Sequence, residues 1–451
     1  MQVTFAFYCV IAYLLVITVV GIYYGKKVKT QEDYSVAGRS LPTPILIGTL
    51  MATWMGAGTV LGGPAASGYQ YGLMAAIAFS MGSPVGQFVL SFVAKKIRRM
   101  NAQTVPEVIE KVYGSLARVL ATVIIMLAYI GIVAYQYKGV GLILNSILGV
   151  PENIGTLIAF GVIVVTALFG GLYSVAYTDF LSCCMMMAGL FIGVPMAISM
   201  AGGWSWVAAN IPPGHLGFGS ISFPQLLGFF FPVFFYVMGD QNMYQRFFAA
   251  KDEKTAMQSG IGWMLGCTAT YFFVAAAAIA ARALYPNINA AQSFVHLATH
   301  GMPTIIGGIC VAAITAFIVT TANSFLLSVG VNMSWDVYAA SSIRRHPLKR
   351  SSSSPGPACW AWAYWPTWSS STTLNSSSSS STPIPCTAPP LLRPFSLRSC
   401  SPRGSPPWEG SSPSSPAEPS PSHGKPRKPR AGPWRKPIRR CLLRLPLPYW
   451  R

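Results

Sequence analysis

Nine stretches of the chain are almost wholly apolar over the roughly 20 residues needed to cross about 30 Å of hydrocarbon. They are 4–24, 43–65, 73–94, 116–147, 154–174, 178–200, 224–246, 256–285 and 303–335. This pattern predicts an all-α polytopic membrane protein. Polar residues gather between the stretches, and the basic ones fall on alternate connections. "KKVK" (26–29) and Arg39 follow the first span, "KKIRR" (95–99) the third, and Arg246, Lys251 and Lys254 the seventh. Cytoplasmic loops carry the excess of Lys and Arg, so the N-terminus is placed outside and residue 340 in the cytoplasm. The segment "QTVPEVIEKVY" (103–113) alternates apolar and charged residues at helical spacing and predicts a short amphipathic helix on the cytoplasmic side.

One apolar stretch contains its own contradiction. "MATWMGAGTVLGG" (51–63) carries four glycines, each of which costs a helix interior about 1 kcal/mol relative to alanine. Unwound backbone at membrane depth is tolerated where it faces protein or a water-filled cavity. Transporters use such breaks to turn free carbonyls toward a cation and half-helix ends toward a substrate. Small residues also let two helices approach closely, and on composition alone both readings stand.

Charge divides the chain in two. Residues 1–340 hold 15 Lys/Arg and 10 Asp/Glu of the 32 and 12 in the whole, so most of the net +20 belongs to residues 341–451. Nucleic-acid binding is therefore a poor inference for the body. The 341–451 segment has no helical or strand period and is dominated by Pro, Ser and Arg, the composition of disordered sequence. It reads as a regulatory basic tail or as out-of-frame product, and its abrupt start at the end of an apolar span favours the second. The nine cysteines show no paired spacing, and the adjacent Cys183 and Cys184 lie in an apolar run, so buried thiols are expected rather than disulfides. "MQVT" lacks a positive n-region, which argues against a cleaved signal peptide.

Four segments carry a family likeness: "DYSVAGRSLPTPILIGTLMATWMGAGTVLGGPAASGYQYG" (33–72), "GGLYSVAYTDFLS" (170–182), "GDQNMYQRFFAAKDEKTA" (239–256) and "AAITAFIVTTANSFLLSVGVNMSWDVY" (312–338). In this order and spacing, over roughly residues 5–340, the chain resembles the sodium:solute symporter family. The resemblance implies an extra N-terminal helix before two inverted repeats of five helices. The chain supplies the extra helix (4–24), a full first repeat (43–200) and three helices of the second (224–335), leaving the second repeat incomplete. Residues 1–340 are then the transporter domain, and the faces of the eighth and ninth spans are expected to be partly uncovered where two further helices would pack.

The resemblance also implies a cation site. The carbonyls of Ala52, Met55 and Phe317 and the hydroxyls of Thr320 and Thr321 would coordinate Na⁺, a hard ion that takes oxygen ligands. Phe317 stands where the family more often has a small residue. The reading of the threonines without the resemblance is back-bonding to their own helix carbonyls. Asp179 would be a waypoint for Na⁺ leaving inward; its plain reading is an interfacial N-cap. No metal beyond Na⁺ and no other cofactor is implied.

Other residues are read from their position. Lys138 in "AYQYKGVG" (134–141) is a cation inside a span, which usually marks a pathway or partner; beside Gln136 it faces substrate or snorkels to the outer interface. At positions where the family's sugar carriers place polar side chains stand Trp54, Thr59, Phe79 and Gly82, too apolar for a hexose. Asp240 and Arg246 are expected to form a cytoplasmic ion-pair cluster rather than a substrate site. His296 and His300 in "HLATH" have i,i+4 spacing but lack the Glu of a zinc-protease motif, and read as part of an outer amphipathic helix. The expectation is a Na⁺-coupled symporter of the plasma membrane that imports a small organic solute by alternating access, monomeric as a functional unit and not an enzyme. The alternatives are a solute sensor on the same fold and a truncated, non-functional transporter.

Overall fold

The computed structural model describes residues 2–168, 171–217 and 221–339; the 341–451 segment, with the readings made of it, lies outside them. Sixteen α-helices follow in order: α1 (Gln2–Gly25), α2 (Gln31–Val36), α3 (Thr43–Trp54), α4 (Ala57–Val60), α5 (Gly63–Tyr71), α6 (Leu73–Arg99), α7 (Val105–Tyr113), α8 (Ser115–Leu148), α9 (Glu152–Leu168), α10 (Gly171–Met200), α11 (Trp204–Ala209), α12 (Phe223–Gly239), α13 (Gln241–Ala249), α14 (Glu253–Leu284), α15 (Ser293–His300) and α16 (Thr304–Val331). A π-helical turn, Asn332–Ala339, continues α16.

Among the described residues, six helices are long and apolar enough to cross a membrane: α1, α6, α8, α10, α14 and α16. Two further spans are bent pairs, α3 with α4–α5 at 64° and α12 with α13 at 41°. The apolar α9 is shorter. Where polar connections meet helices, side chains close the free N–H groups that every helix start leaves. Thr30 forms a capping box with Asp33, Thr104 accepts from Glu107 N at 3.2 Å, and Asp252 accepts from Thr255 N at 2.7 Å. The predicted amphipathic segment is α7, capped by Thr104.

α16 is the axis of the molecule. It packs against α1, α8, α9, α10 and α3, while α6 packs against α14, α12 and α5. The expectation of an uncovered ninth span is corrected here: 83% of its most apolar window is buried. The reason is α1, whose Phe5 and Cys9 lie against Gly308 so closely that a Cβ there would stand 2.8 Å from Phe5 Cδ1 and 3.0 Å from Cys9 Sγ. On α14, Leu265 and Phe272 stay open at 59% and 70%.

The basic connections meet at one end. Arg39 reaches Glu32 (2.6 Å), Phe248 O (3.3 Å) and Ala102 O (3.2 Å). Arg98 donates to Ala250 O at 2.6 Å, Arg99 pairs with Glu253 at 2.6 Å, and Arg118 pairs with Glu110 (2.6 Å) and Asp336 (2.8 Å). The other end is held differently. Tyr69 donates to Tyr285 O, Leu73 N to His215 O at 2.7 Å, and Ile288 N to Tyr69 Oη at 3.2 Å.

Candidate cation site

The glycine-rich stretch breaks its helix at two residues. Helix α3 ends at Trp54, Met55 is extended (φ −89°, ψ 102°), Gly56 is extended (φ −126°, ψ −159°), and α4 starts at Ala57. The carbonyls of Ala52 and Met55 therefore lose the helical N–H partners that an unbroken span would supply. Gln136 from α8 closes the other side of the gap: its Oε1 accepts from Ala57 N at 2.8 Å. Gly56 is required for this approach, because a Cβ there would stand 2.9 Å from both Gln136 Oε1 and Thr321 Oγ1.

The middle of α16 faces the break. Thr320 Oγ1 lies 3.0 Å from Ala52 O and 2.7 Å from Ala316 O, with Phe317 O at 3.4 Å. Thr321 Oγ1 lies 3.2 Å from Ala52 O, 2.9 Å from Met55 O and 2.8 Å from Phe317 O. All five residues read as cation ligands are thus brought together. Each hydroxyl has one proton to give. Ala316 O and Phe317 O already accept inside α16, so the two protons match the two carbonyls freed by the break, Ala52 O and Met55 O. Back-bonding of the threonines to their own helix would leave those two oxygens without a donor, a costly arrangement when buried unless a cation took its place.

One turn toward the basic end sits a second polar cluster. Asp179 Oδ2 accepts from Thr49 Oγ1 (2.6 Å) and Thr53 Oγ1 (3.3 Å) and lies 3.4 Å from both Ser324 Oγ and Arg246 Nη2. Arg246 also donates to Thr49 O (3.2 Å), Asn242 O (3.3 Å) and Ser324 Oγ (2.7 Å). Both members of the pair are only 1% exposed. Two expectations are corrected by this geometry. Asp179 is the ninth residue of α10, two turns inside it, and caps nothing. Arg246 pairs with Asp179, not with Asp240, whose Oδ1 instead accepts from Tyr129 Oη and caps α13 by accepting from Asn242 N at 3.0 Å. Sequence reasoning missed Thr49, Thr53 and Ser324. Arg246, a cation at the end of an apolar stretch, was the signal that could have led to them.

The substrate candidates do not form one cluster. Trp54 leaves the break toward α12 and α14: its Nε1 donates to Tyr271 Oη at 2.8 Å and its ring stacks on Tyr236, with centroids 5.0 Å apart. Trp263 meets it edge-on at 6.0 Å. Phe79 lies on Phe229 at 5.6 Å, against Gly63 where α5 begins. Thr59 is buried on α4. Gln136 and Lys138 are on α8, where Lys138 is half-buried and has no hydrogen bond or ion pair among the described residues. It lies twenty residues beyond Arg118, about 30 Å along the helix and away from the basic end.

The sodium:solute symporter family model matches residues 34–353. The chain belongs to the sodium:solute symporter family. It is similar to the sodium/pantothenate symporter of Escherichia coli, with 27% identity over 347 residues that cover 73% of this chain and 71% of that protein. The high-affinity proline transporter PutP of Bacillus subtilis is also 27% identical over 347 residues, covering 71% of each. In fold, the symporter resembles a Na⁺-coupled sialic acid symporter solved in a substrate-bound outward-open state, with a TM-score of 0.71 at 20% identity over 82% of this chain and 81% of that one. The extra-helix, inverted-repeat architecture expected from the sequence is the fold of this multi-pass membrane protein. The family is one of transporters.

Proposed function

We propose that this symporter couples the entry of Na⁺ to import of a small organic solute by alternating access, with Ala52, Met55, Phe317, Thr320 and Thr321 as the Na⁺ ligands. The observation that supports this is the convergence of five buried oxygens, the carbonyls of Ala52, Met55 and Phe317 and the hydroxyls of Thr320 and Thr321, at the break between α3 and α4. Asp179, one turn closer to the basic end, is the next oxygen on the way out, and the basic end is cytoplasmic by the charge rule. The N-terminus is then outside, in the plasma membrane. Trp54, Thr59, Phe79, Gln136 and Lys138 border the broken span or lie beyond it and are the substrate candidates. Of these, Gln136 also holds the second half-helix in place. Their apolar balance favours a solute with an apolar body over a hexose.

One Na⁺ moving down about −100 mV releases roughly 2.3 kcal/mol, and a tenfold concentration gradient adds about 1.4 kcal/mol. The site is tested by titrating the purified chain with Na⁺ and following thermal stability, then by measuring Na⁺-driven uptake in proteoliposomes. Thr320→Ala combined with Thr321→Ala is expected to raise the Na⁺ concentration for half-effect by about tenfold or more, a loss of some 1.4 kcal/mol. An unchanged Na⁺ titration in the double variant removes these ligands from the reading.

A further inference from the structure

His296 and His300 play no part in the cation site, yet the structure disposes them for a ligand. They lie one turn apart on α15, with rings stacked at 4.9 Å and 18°. His300 is exposed and His296 half-buried, at the end away from the basic cluster. The ring nitrogens of His296 have no hydrogen-bond partner among the described residues. His300 has one: Nδ1 lies 2.8 Å from Thr299 Oγ1. With the hydroxyl proton on Val295 O, at 2.9 Å, its oxygen accepts from His300 Nδ1 and leaves the lone pair of His300 on Nε2.

We infer that His296 and His300 form a two-histidine clip for a divalent transition-metal ion such as Zn²⁺ or Ni²⁺ at the outer end of the symporter. Two histidines at i,i+4 present their nitrogens on one helix face, the spacing that zinc motifs use, and neutral imidazole suits these ions. The bond from Thr299 acts as the orienting outer contact that metal-bound histidines commonly have. No carboxylate or thiol adds to the pair: among the described residues no group of three or more His, Cys, Asp or Glu gathers. Water therefore completes the coordination, and binding is in the micromolar range.

The clip touches the broken span through one residue. The Tyr285 ring packs on both histidines, at 6.0 and 6.4 Å, and its carbonyl accepts from Tyr69 on α5, the far half of the broken span. An ion holding the two imidazoles in register also holds Tyr285 against α5, so it slows any step in which α5 swings. This coupling rests on the proposed transport function; the metal site does not.

The test uses the full chain without a polyhistidine tag, in detergent, competing with a colorimetric chelator for Zn²⁺. One micromolar Zn²⁺ per chain is expected, and His296→Gln and His300→Gln should each weaken it about tenfold or more, with a smaller loss for Thr299→Val. Equal Zn²⁺ binding by the parent and the His296→Gln/His300→Gln double variant overturns the site. Size-exclusion profiles matching the parent show that the variants are folded. In proteoliposomes, Zn²⁺ should slow uptake at least twofold in the parent and leave the double variant unaffected. Zn²⁺ bound without slowing overturns the link through Tyr285. Absence of Na⁺-driven uptake in metal-free parent protein counts against the transport reading and leaves the binding result standing.

Discussion

The two bent spans solve one problem in opposite ways. At the α3–α4 break the chain uses Gly56, and the freed carbonyls of Ala52 and Met55 turn toward Thr320 and Thr321 of a distant helix. At the α12–α13 break it uses Asp240, whose own carboxylate accepts from Asn242 N, the second N–H of α13, and from the Tyr129 hydroxyl. The first break turns its freed carbonyls toward a site between helices, whereas the second caps its new helix start with its own side chain and leaves Asp240 Oδ2 buried without a partner among the described residues.

Three substitutions and one control sharpen this contrast, the three in falling order of effect. Asp179 ties α3 to α10 and α13 through Thr49, Thr53 and Arg246, so Asp179→Asn strands a buried guanidinium. Breaking a buried pair in this way costs about 3–5 kcal/mol. The variant is expected to show a sharply lower melting temperature, part of which Arg246→Gln restores when the two changes are combined.

Next comes Gly56→Ala. The backbone of Gly56 is extended and open to any residue, so the cost is one of space: the added Cβ meets Gln136 Oε1 and Thr321 Oγ1 at 2.9 Å. Overpacking of this kind costs about 1–3 kcal/mol, and the Na⁺ titration should weaken with it. Gly239, beside the second break, has no atom within 4 Å of its would-be Cβ. Gly239→Ala should be neutral in the same two measurements.

The smallest effect is Asp240→Asn. Asn caps a helix about as well as Asp, and its oxygen still accepts from Tyr129. A shift within about 0.5 kcal/mol is expected, measured as thermal stability. A loss as large as that of Asp179→Asn would mean that the charge of Asp240 is also needed.

The sequence carried the break and its five facing oxygens, because glycines in an apolar run and adjacent threonines in a later one are local signals that family likeness could align. It did not carry the partner of Arg246. That pairing joins α10 to α13 across 67 positions, and apolar periodicity identifies a span without saying which spans meet. Asp179 was misplaced because the helix starts two turns earlier, at Gly171, whereas the apolar pattern ends one span at 174 and begins the next at 178. Coverage of α16 was hidden too, since nothing in "FAFYCV" at 5–10 marks it as the flank of a helix three hundred residues away.

That flank has a consequence for how the protein is made. α1 ends at Gly25 and α16 begins at Thr304, and ribosomes add about 5–20 residues per second. The surface of α1 that will enclose α16 therefore faces lipid for roughly 15–60 s before its partner is synthesised. During that interval Phe5 and Cys9 have only acyl chains to pack against, and the half-built bundle stays open along the side where its central helix must enter. Among the described spans, the latest to emerge is thus the one around which the earlier ones close.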